Sequence, residues 1–330
     1  MSADTRSPRA PLSRRRLLAW APAALLGAGR AHAQAGGAGE LRIGFQKSAV
    51  NLLIVRERRL LDARLPGVAQ KWVEFPAGPQ LLEALSVGSI DFGFTGDSPP
   101  VFAQAAGKDV LYLGIEPAKP DSSAILVKPA APLKTLADLR GKRVGLQKGS
   151  SAHYLLVRAV AQGGLQWSDI TPVYLPPAEA RAAFEKGAID AWAIWDPYYA
   201  AAEIDAQARV LSTGRGLSSN NSFYLGSQAL SQRTAVVKAL FDALSEADAY
   251  VQSNRTEASR FIAEATGLPL ASALRFVERR SAGRVTALTP AQVADQQRVA
   301  DAFAQLGLIP KPIRVADAVW SPGGALAQAR

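Results

Sequence analysis

Two stretches of the sequence, LRIGFQKS (41–48) and RVGLQKGS (143–150), end in nearly the same polar residues. In each, a short apolar run is followed by Gln-Lys and then by a serine, at Gln46 in the first copy and at Gln147 in the second. A polar, donor-bearing segment directly after a buried strand is suited to holding a small anion. Because this polar segment occurs twice, the sequence suggests that one anion is bound from two sides.

A second pair of similar stretches follows at almost the same spacing. VGSIDFGFTGDSPP (87–100) resembles KGAIDAWAIWDPYY (186–199), which pairs Asp91 with Asp190 and Asp97 with Asp196, each 99 positions apart. The two glutamines of the first repeat are 101 positions apart. Two repeats in one order and at nearly one spacing predict two lobes built to similar plans.

The polar segments lie where helices are predicted to begin. Ser150 or Ser151 is a good N-cap, Gly78 stands before a proline that opens a helix, and 95–98 leads directly into Pro99. Uncapped backbone N–H groups and the helix dipole form an anion site without an arginine. Ordinary capping explains any one of these sites, but it explains poorly five sites at mirrored positions, namely 46–48, 78–79, 95–98, 147–151 and 195–197. The sequence therefore predicts an anion site built by both lobes.

Strand and helix patterns alternate from residue 41 to residue 195, which predicts an α/β fold with parallel sheets and helices on both faces. Two extended segments, 122–128 and 221–227, stand between the halves and are predicted to be crossover strands that form a two-strand hinge. After residue 227 the chain is mostly helical through residue 306 and is predicted to rejoin the first lobe. The predicted segments are 34–121 (first part of lobe one), 122–221 (lobe two) and 222–330 (return to lobe one with the C-terminal helices).

Residues 1–33 are predicted to be an export signal rather than part of the fold. An arginine cluster (14–16) precedes an apolar stretch (17–28), and Ala31 and Ala33 form an Ala-x-Ala site with cleavage before Gln34. The segment SRRRLL resembles a twin-arginine signal, with a basic Sec signal as the alternative. The mature protein is therefore expected in the periplasm.

The composition excludes several classes of function. The chain has no cysteine and two histidines, of which only His153 lies outside the predicted signal, so a Cys/His metal site is excluded and neither a metal nor a cofactor is expected. Without residues 1–33 the chain has 32 basic and 27 acidic residues, a net charge of +5 that is no nucleic-acid footprint. No later apolar run approaches the ~20 residues of a membrane span. A Gly-x-Ser-x-Gly elbow and a phosphate-binding loop are also absent.

Four motifs in order, WVEFPAGPQLLEAL (72–85), VGSIDFGFTGDSPP (87–100), LQKGSSAHYLLVRA (146–159) and DAWAIWDPYY (190–199), resemble the aliphatic-sulfonate-binding proteins of ABC importers. These belong to the nitrate/sulfonate/taurine group of periplasmic binding proteins, and the resemblance covers residues 41–320. It implies a type II-like, two-lobed binding protein that closes on its ligand and delivers it to a membrane permease. A monomer is expected for such a carrier.

The resemblance also implies where the ligand binds. A sulfonate is ionised at neutral pH and has three acceptor oxygens, so it needs only donors, and each charge-assisted hydrogen bond contributes about 1.5–3 kcal/mol. The predicted ligand-binding residues are Gln46, Lys47, Gly78, Pro79, Thr95, Gly96, Asp97, Ser98, Gln147, Gly149, Ser150, Ser151, His153, Trp195 and Asp196.

Several of these residues allow more than one role. Trp195 is predicted either to face the organic part of the ligand or to donate its indole N–H to it, whereas strand alternation directs Trp192 to the core. Asp97 and Asp196 either cap helices or pair with Lys47 or Lys148, or one of them pairs with the ammonium of a taurine-like ligand. His153 either donates a hydrogen bond to the ligand as a neutral imidazole or lies on the helix surface.

Other functions remain open at this point. Tyr154 and Ser98 depart from the residues expected in the family, so the identity of the sulfonate is open. Taurine, nitrate and other small anions are the nearest alternatives, and a ligand-sensing receptor subunit is another. A pyrimidine-synthase-like enzyme is the alternative from a different class, but a single histidine and no cysteine leave it without an evident nucleophile and base.

Overall fold

The structure is a computed structural model, and it describes residues 39–321. The predicted export signal (1–33) lies outside the described residues. Within them, the strands are β1 (Glu40–Phe45), β2 (Ala69–Glu74), β3 (Phe92–Gly96), β4 (Leu111–Ile115), β5 (Ser123–Val127), β6 (Arg143–Leu146), β7 (Thr171–Tyr174), β8 (Ala191–Trp195), β9 (Arg209–Thr213) and β10 (Ser222–Gly226). The α-helices are α1 (Val50–Glu57), α2 (Gly78–Ser86), α3 (Ser98–Ala105), α4 (Ser151–Gln162), α5 (Pro177–Lys186), α6 (Tyr198–Asp205), α7 (Gln228–Ser231), α8 (Thr234–Ser253), α9 (Arg255–Thr266), α10 (Leu270–Glu278) and α11 (Pro290–Gln305).

The strands form two sheets of the same design. The first has the order β2-β1-β3-β10-β4 and the second the order β7-β6-β8-β5-β9. In each sheet the fourth strand runs antiparallel to its two neighbours, while the other described pairs are parallel. The two repeated stretches of the sequence therefore contain β1 and β6, which occupy the same position in their sheets.

The antiparallel strand of each sheet is a crossover strand, formed where the chain passes from one sheet to the other. β5 joins the second sheet directly after the chain leaves the first, and β10 joins the first sheet on the way back. These strands fall within the segments 122–128 and 221–227 that were predicted to cross over. The predicted two-lobed α/β fold with a two-strand hinge is confirmed, and we call the layers around the first and second sheets the first and second lobes.

An equivalent aspartate–arginine ion pair joins two neighbouring strands at the same position in each lobe. In the first lobe, Asp91 accepts the backbone N–H of Arg42 at 2.8 Å and pairs with its guanidinium. In the second lobe, Asp190 accepts the backbone N–H of Arg143 at 2.8 Å and pairs with its guanidinium. The repeated aspartates thus have a structural role, because each fixes the start of a central strand.

Both faces of each sheet are covered by apolar side chains. In the first lobe, α1 and the C-terminal helices α8 to α10 pack on one face, and α2, α3 and α11 pack on the other. In the second lobe, α4 covers one face and α5 and α6 cover the other, where Trp192 is fully buried beside Phe184. The C-terminal helices therefore pack on the first lobe, and Trp192 lies in the core as predicted. The exact segment boundaries at 34, 122 and 222 stay a prediction.

Three local details differ from the sequence-based expectation. The helical pattern at 51–65 forms a helix only as far as Glu57, because Arg59 adopts a left-handed conformation with φ of 53°. The half-buried edge strand β9 was not predicted, and the short helix α6 was implied only by the capping role offered for Asp196, with no bounds. None of the helices in residues 39–321 is long and apolar enough to cross a membrane.

Candidate functional site

A small cavity of about 40 Å³ lies between the two lobes at the ends of their central strands. We call it the interlobe cavity. Eight of the predicted ligand-binding residues line it, namely Gln46, Gly78, Thr95, Gly96, Ser150, Ser151, Trp195 and Asp196. The two lobes contribute equally to this set, as the repeated stretches predicted.

On the first-lobe side, the start of α2 lies directly against the end of β3. The hydroxyl oxygen of Thr95 is buried and has no hydrogen-bond partner in the part of the chain that the structure describes. An added Cβ at Gly78 would overlap with that oxygen and with the ring of Pro99. Glycine is therefore required at the start of α2, because any side chain there would collide with the Thr95 hydroxyl beside the cavity.

On the second-lobe side, the start of α4 reaches the cavity. Ser150 is the N-cap of α4 with an extended backbone, and its hydroxyl donates to the carbonyl of Gln147 at 2.8 Å rather than capping the helix. Gly149 has a φ of +73°, which favours glycine. No side chain caps α4 in the described structure, and the N–H of His153 donates to the carbonyl of Ser150 at 2.9 Å, so the N–H groups of Ser151 and Ala152 are the ones available to an anion.

The two lobes contact each other beside the cavity through Ser151 and Asp97. The hydroxyl of Ser151 accepts a hydrogen bond from the backbone N–H of Asp97 at 3.2 Å. An added Cβ at Gly96 would overlap with the same hydroxyl. The described structure is therefore a closed form of the two lobes, and Gly96 allows the close approach.

We expect that Gly96→Ala weakens ligand binding about tenfold without unfolding either lobe. The added methyl group displaces the Ser151 hydroxyl across the cleft and so raises the free energy of the closed form by on the order of 1.4 kcal/mol. Calorimetric titration measures the affinity, and Gly39→Ala, where an added Cβ meets no atom within 4 Å, is the matched control. An unchanged affinity in Gly96→Ala would show that binding does not need this contact.

The other seven predicted residues do not line the interlobe cavity. Lys47 donates from Nζ to the carbonyl of Thr266 at 2.7 Å, and Ser98 donates from its hydroxyl to Oδ1 of Asp97 at 2.9 Å. Asp97 is buried, and this burial raises the pKa of its carboxyl to about 6. The remaining members of this group are Pro79, Gln147, Gly149 and His153.

The structure corrects the expectation for His153. It is fully buried in an aromatic cluster that includes Phe102 and Phe303 of the first lobe and Trp167 of the second. Its Nδ1 accepts a hydrogen bond from the backbone N–H of Gly149 at 3.2 Å, and burial lowers the pKa of the imidazole to about 3. His153 is therefore a neutral packing residue between the lobes, neither a surface residue nor a part of the cavity lining.

Of the alternatives for the two aspartates, pairing with Lys47 or Lys148 is wrong, whereas Asp196 does cap the helix that follows it. Asp196 pairs with Arg279 at 3.1 Å and accepts the backbone N–H of Ala200 at 3.0 Å in the first turn of α6. Burial raises the pKa of Asp196 to about 7 although the charge of Arg279 acts in the opposite direction. Lys148, the other predicted partner, lies over the ring of Tyr174 instead.

Sequence reasoning missed the residues that the hinge contributes to the cavity. Lys119, Ser122, Asn220 and Ser222 line it, and each stands at or beside one of the predicted crossover segments. Polar residues that flank a crossover segment could have indicated them, because the chain passes from one lobe to the other there and so lies beside the cleft.

A buried charge cluster fixes Lys119. Its Nζ donates to Glu116 at 2.8 Å, and Arg280 approaches Glu116 at 3.5 Å and Asp248 at 3.7 Å. Burial acts to raise the pKa of Glu116, but the charges of Arg280 and Lys119 outweigh it and lower that pKa to about 2. The hydroxyl of Tyr224 donates to Glu116 at 2.7 Å. We call these residues the Glu116 cluster.

Residues 39–321 contain no group of three or more histidine or acidic side chains placed to hold a metal ion. The charged side chains that line the interlobe cavity are Lys119 and Asp196, and each is already paired within the protein. Hydroxyls and helix-start N–H groups are therefore the donors left for a ligand.

Comparison with known proteins agrees with this geometry. The sequence pattern of the NMT1-like family matches residues 35–267. The chain belongs to the NMT1-like family. This NMT1-like protein is 46% identical over 283 residues, 86% of its chain and 89% of the relative, to a protein of Escherichia coli (strain K12) named for binding aliphatic sulfonates.

Two solved structures are similar to the NMT1-like protein over nearly its whole length. The alkanesulfonate-binding protein SsuA from Xanthomonas axonopodis pv. citri, bound to MOPS, is 47% identical with a TM-score of 0.82, over 86% of this chain and 98% of that chain. The periplasmic aliphatic sulphonate binding protein SsuA from Escherichia coli is 45% identical with a TM-score of 0.80, over 87% and 93%. The predicted resemblance to sulfonate-binding proteins and the two-lobed fold are thereby confirmed.

Proposed function

We propose that this NMT1-like protein is the periplasmic solute-binding component of an ABC importer and captures an alkanesulfonate in the interlobe cavity. The observation that carries the proposal is a set of unpaired donors facing one cavity from both lobes. These are the buried Thr95 hydroxyl, the glycine-opened start of α2 and the uncapped start of α4. The names of relatives with 45–47% identity support the same ligand class.

The donor set suits the chemistry of a sulfonate. A sulfonate carries a full negative charge and three acceptor oxygens but no proton, so it can accept hydrogen bonds from the site but cannot donate any. Helix N-termini supply N–H groups and a favourable dipole. Hydroxyls such as those of Thr95 and Ser151 rotate to donate.

The rest of the lining suits an organic substituent. Phe94, Pro99, Trp195 and Phe276 contribute apolar surface to the same cavity. An alkyl chain gains about 0.8 kcal/mol for each CH₂ group that it buries. The combination of clustered donors and apolar walls favours an alkanesulfonate over nitrate, which has no apolar part.

We propose binding without catalysis. In the described structure the cavity lining has serine and threonine hydroxyls but no histidine to act as their base, and His153 lies in the aromatic cluster instead. The proposal extends to the predicted partners and location. The mature chain, after removal of residues 1–33, would act as a monomer in the periplasm and pass its ligand to the permease of the same importer.

A second candidate ligand class follows from Asp196. Its carboxylate lines the cavity and could pair with the ammonium of an aminosulfonate such as taurine. However, Arg279 already pairs with this carboxylate in the closed form. We therefore place aminosulfonates second.

A thermal-shift panel on the chain from Gln34 onward tests the proposal. The panel compares short and long alkanesulfonates, an arylsulfonate, taurine, nitrate, sulfate and phosphate. A ligand present at about one hundred times its dissociation constant adds ~2.7 kcal/mol to the free energy of unfolding and raises the melting temperature by several degrees.

We expect shifts with alkanesulfonates, a smaller shift with taurine and none with nitrate or phosphate. Shifts confined to nitrate, or to inorganic sulfate and phosphate, would leave the fold intact and refute the substrate assignment. The order of the alkanesulfonates by shift would give the preferred chain length.

A further inference from the structure

The end of α10 carries two consecutive arginines that contact opposite lobes. Arg280 enters the Glu116 cluster inside the first lobe, with its side chain 3% exposed. Arg279 extends across the cleft to the second lobe, with its side chain 11% exposed. Since α10 packs in the core of the first lobe through Ala273, Phe276 and Val277, Arg279 is a first-lobe residue whose partners belong to the second lobe.

Arg279 makes three contacts with the second lobe. Its Nη1 lies 3.1 Å from Oδ1 and 3.3 Å from Oδ2 of Asp196. Its Nη2 pairs with the carboxylate of Glu203 in α6. Its guanidinium carbon stands 3.6 Å from the centroid of the Tyr199 ring, in a cation–π arrangement. In the described closed form these contacts join the end of α10 in the first lobe to α6 and the segment before it in the second lobe.

The ion pair between Asp196 and Arg279 affects which charge the cavity favours in a ligand. Asp196 is 1% exposed and lines the interlobe cavity, so its carboxylate faces the space that an anion would occupy. Within residues 39–321, Arg279 is the one cation that forms an ion pair with it. A buried carboxylate that has lost this partner repels an anion and attracts a cation at a pH at which it stays ionised, which is above about 7 because burial already raises the pKa of Asp196 to about 7 with Arg279 in place.

We propose that Arg279 is a specificity-determining latch: by closing onto Asp196 it stabilises the closed form and makes the closed cavity favour anions over ligands that carry an ammonium group. The specificity part rests on the proposed sulfonate function. The latch part concerns the lobes themselves and can be measured without any ligand.

Ethanesulfonate and taurine test the specificity part, because they share a two-carbon sulfonate and differ by the ammonium group. Calorimetric titrations compare the wild-type chain, Arg279→Gln and the control Arg275→Gln. Arg275 lies on the same helix, is 52% exposed and pairs only loosely with Glu278 at 3.8 Å. We expect Arg279→Gln to weaken ethanesulfonate binding at least tenfold and taurine binding much less, whereas Arg275→Gln leaves both affinities unchanged.

A double variant separates charge from geometry. Arg279→Gln with Asp196→Asn removes both charges, and we expect it to recover most of the ethanesulfonate affinity that Arg279→Gln loses. Equal losses for the two ligands in Arg279→Gln, or no recovery in the double variant, would overturn the specificity part.

The latch part is tested by measuring the distance between the two lobes in the ligand-free chain. Because the chain has no cysteine, Val87→Cys on the first lobe and Glu179→Cys on the second can be labelled selectively with nitroxides for distance measurement. We expect Arg279→Gln to reduce the population at the closed-form distance, and Arg275→Gln to leave it as in the parent pair. An unchanged distribution in Arg279→Gln would overturn the latch. If the wild-type chain binds neither sulfonate, the proposed function fails and the distance measurement still decides the latch.

Discussion

Ser151→Asp is expected to abolish sulfonate binding while the ligand-free chain stays folded. The substitution places a carboxylate at the start of α4, among the donors proposed to hold the sulfonate, and in the closed form it also approaches the carboxyl group of Asp97. Like charges brought together in a desolvated site cost several kcal/mol. We expect a loss of affinity of at least about 1000-fold, which corresponds to ~4 kcal/mol.

The fold should tolerate this change because an acidic residue in the first turn of a helix interacts favourably with the helix dipole, by about 0.3–1 kcal/mol. Ser227→Asp is the matched control. Ser227 caps α7 by accepting the backbone N–H of Leu230 at 3.2 Å, and it is not part of the cavity lining. Both variants should melt near the wild-type temperature without ligand, and only the control should bind. Sulfonate affinity within tenfold of wild type in Ser151→Asp would show that the start of α4 is not in the site.

Arg280→Leu is expected to lower the free energy of unfolding by about 3–5 kcal/mol, the usual cost of breaking a buried ion pair from one side. The substitution leaves Glu116 and Asp248 inside the first lobe without their arginine. It also removes the hydrogen bond from Nη2 of Arg280 to the side-chain oxygen of Asn51, at 3.2 Å. Urea unfolding at neutral pH measures the loss.

Two variants accompany this measurement. Arg284→Leu, four residues further along at an exposed position, should change the free energy of unfolding by less than about 0.5 kcal/mol. Arg280→Leu with Asp248→Asn should regain part of the lost stability, because one uncompensated carboxylate is removed. A loss below about 1 kcal/mol in Arg280→Leu would mean that the Glu116 cluster does not depend on its arginine.

The parts of the fold that the sequence predicted are those with a periodic pattern or a repeat. Alternating strand and helix patterns located β1 to β8, and the duplicated stretches correctly implied two sheets with the same strand order. Strand alternation also placed Trp192 in the core, since it lies three residues before Trp195 on β8 and so faces the other side. By contrast, β9 is a short, half-buried edge strand whose pattern is too weak to read.

The parts of the site that the sequence did not predict depend on contacts between distant positions. Arg279 and Asp196 are 83 positions apart, and Arg280 and Glu116 are 164 apart. The segment ERRSAGR (278–284) that contains both arginines resembles an ordinary charged surface turn, so nothing local indicates that one arginine is buried and the other spans the cleft.

The prediction that His153 contacts the ligand failed for a different reason. It lies two positions after Ser151 on α4, and at 3.6 residues per turn two positions correspond to a rotation of about 200°. A helix that points Ser151 into the cavity must therefore point His153 away from it, into the aromatic cluster between the lobes. Applying the helical period within the first turn would have separated the two residues.

The close approach of Gly96 and Ser151 also has a kinetic consequence. This contact leaves no room for a further atom between the two residues, so in the closed form it blocks one route out of the interlobe cavity, and we expect a ligand to leave mainly when the lobes part. Under the proposed function, the dissociation rate is then governed by the rate of opening, and opening is slower the more a ligand's contacts stabilise the closed form. Differences in affinity among sulfonates would accordingly appear mainly as differences in residence time. A permease that pulls the lobes apart would accelerate release without competing for the ligand itself.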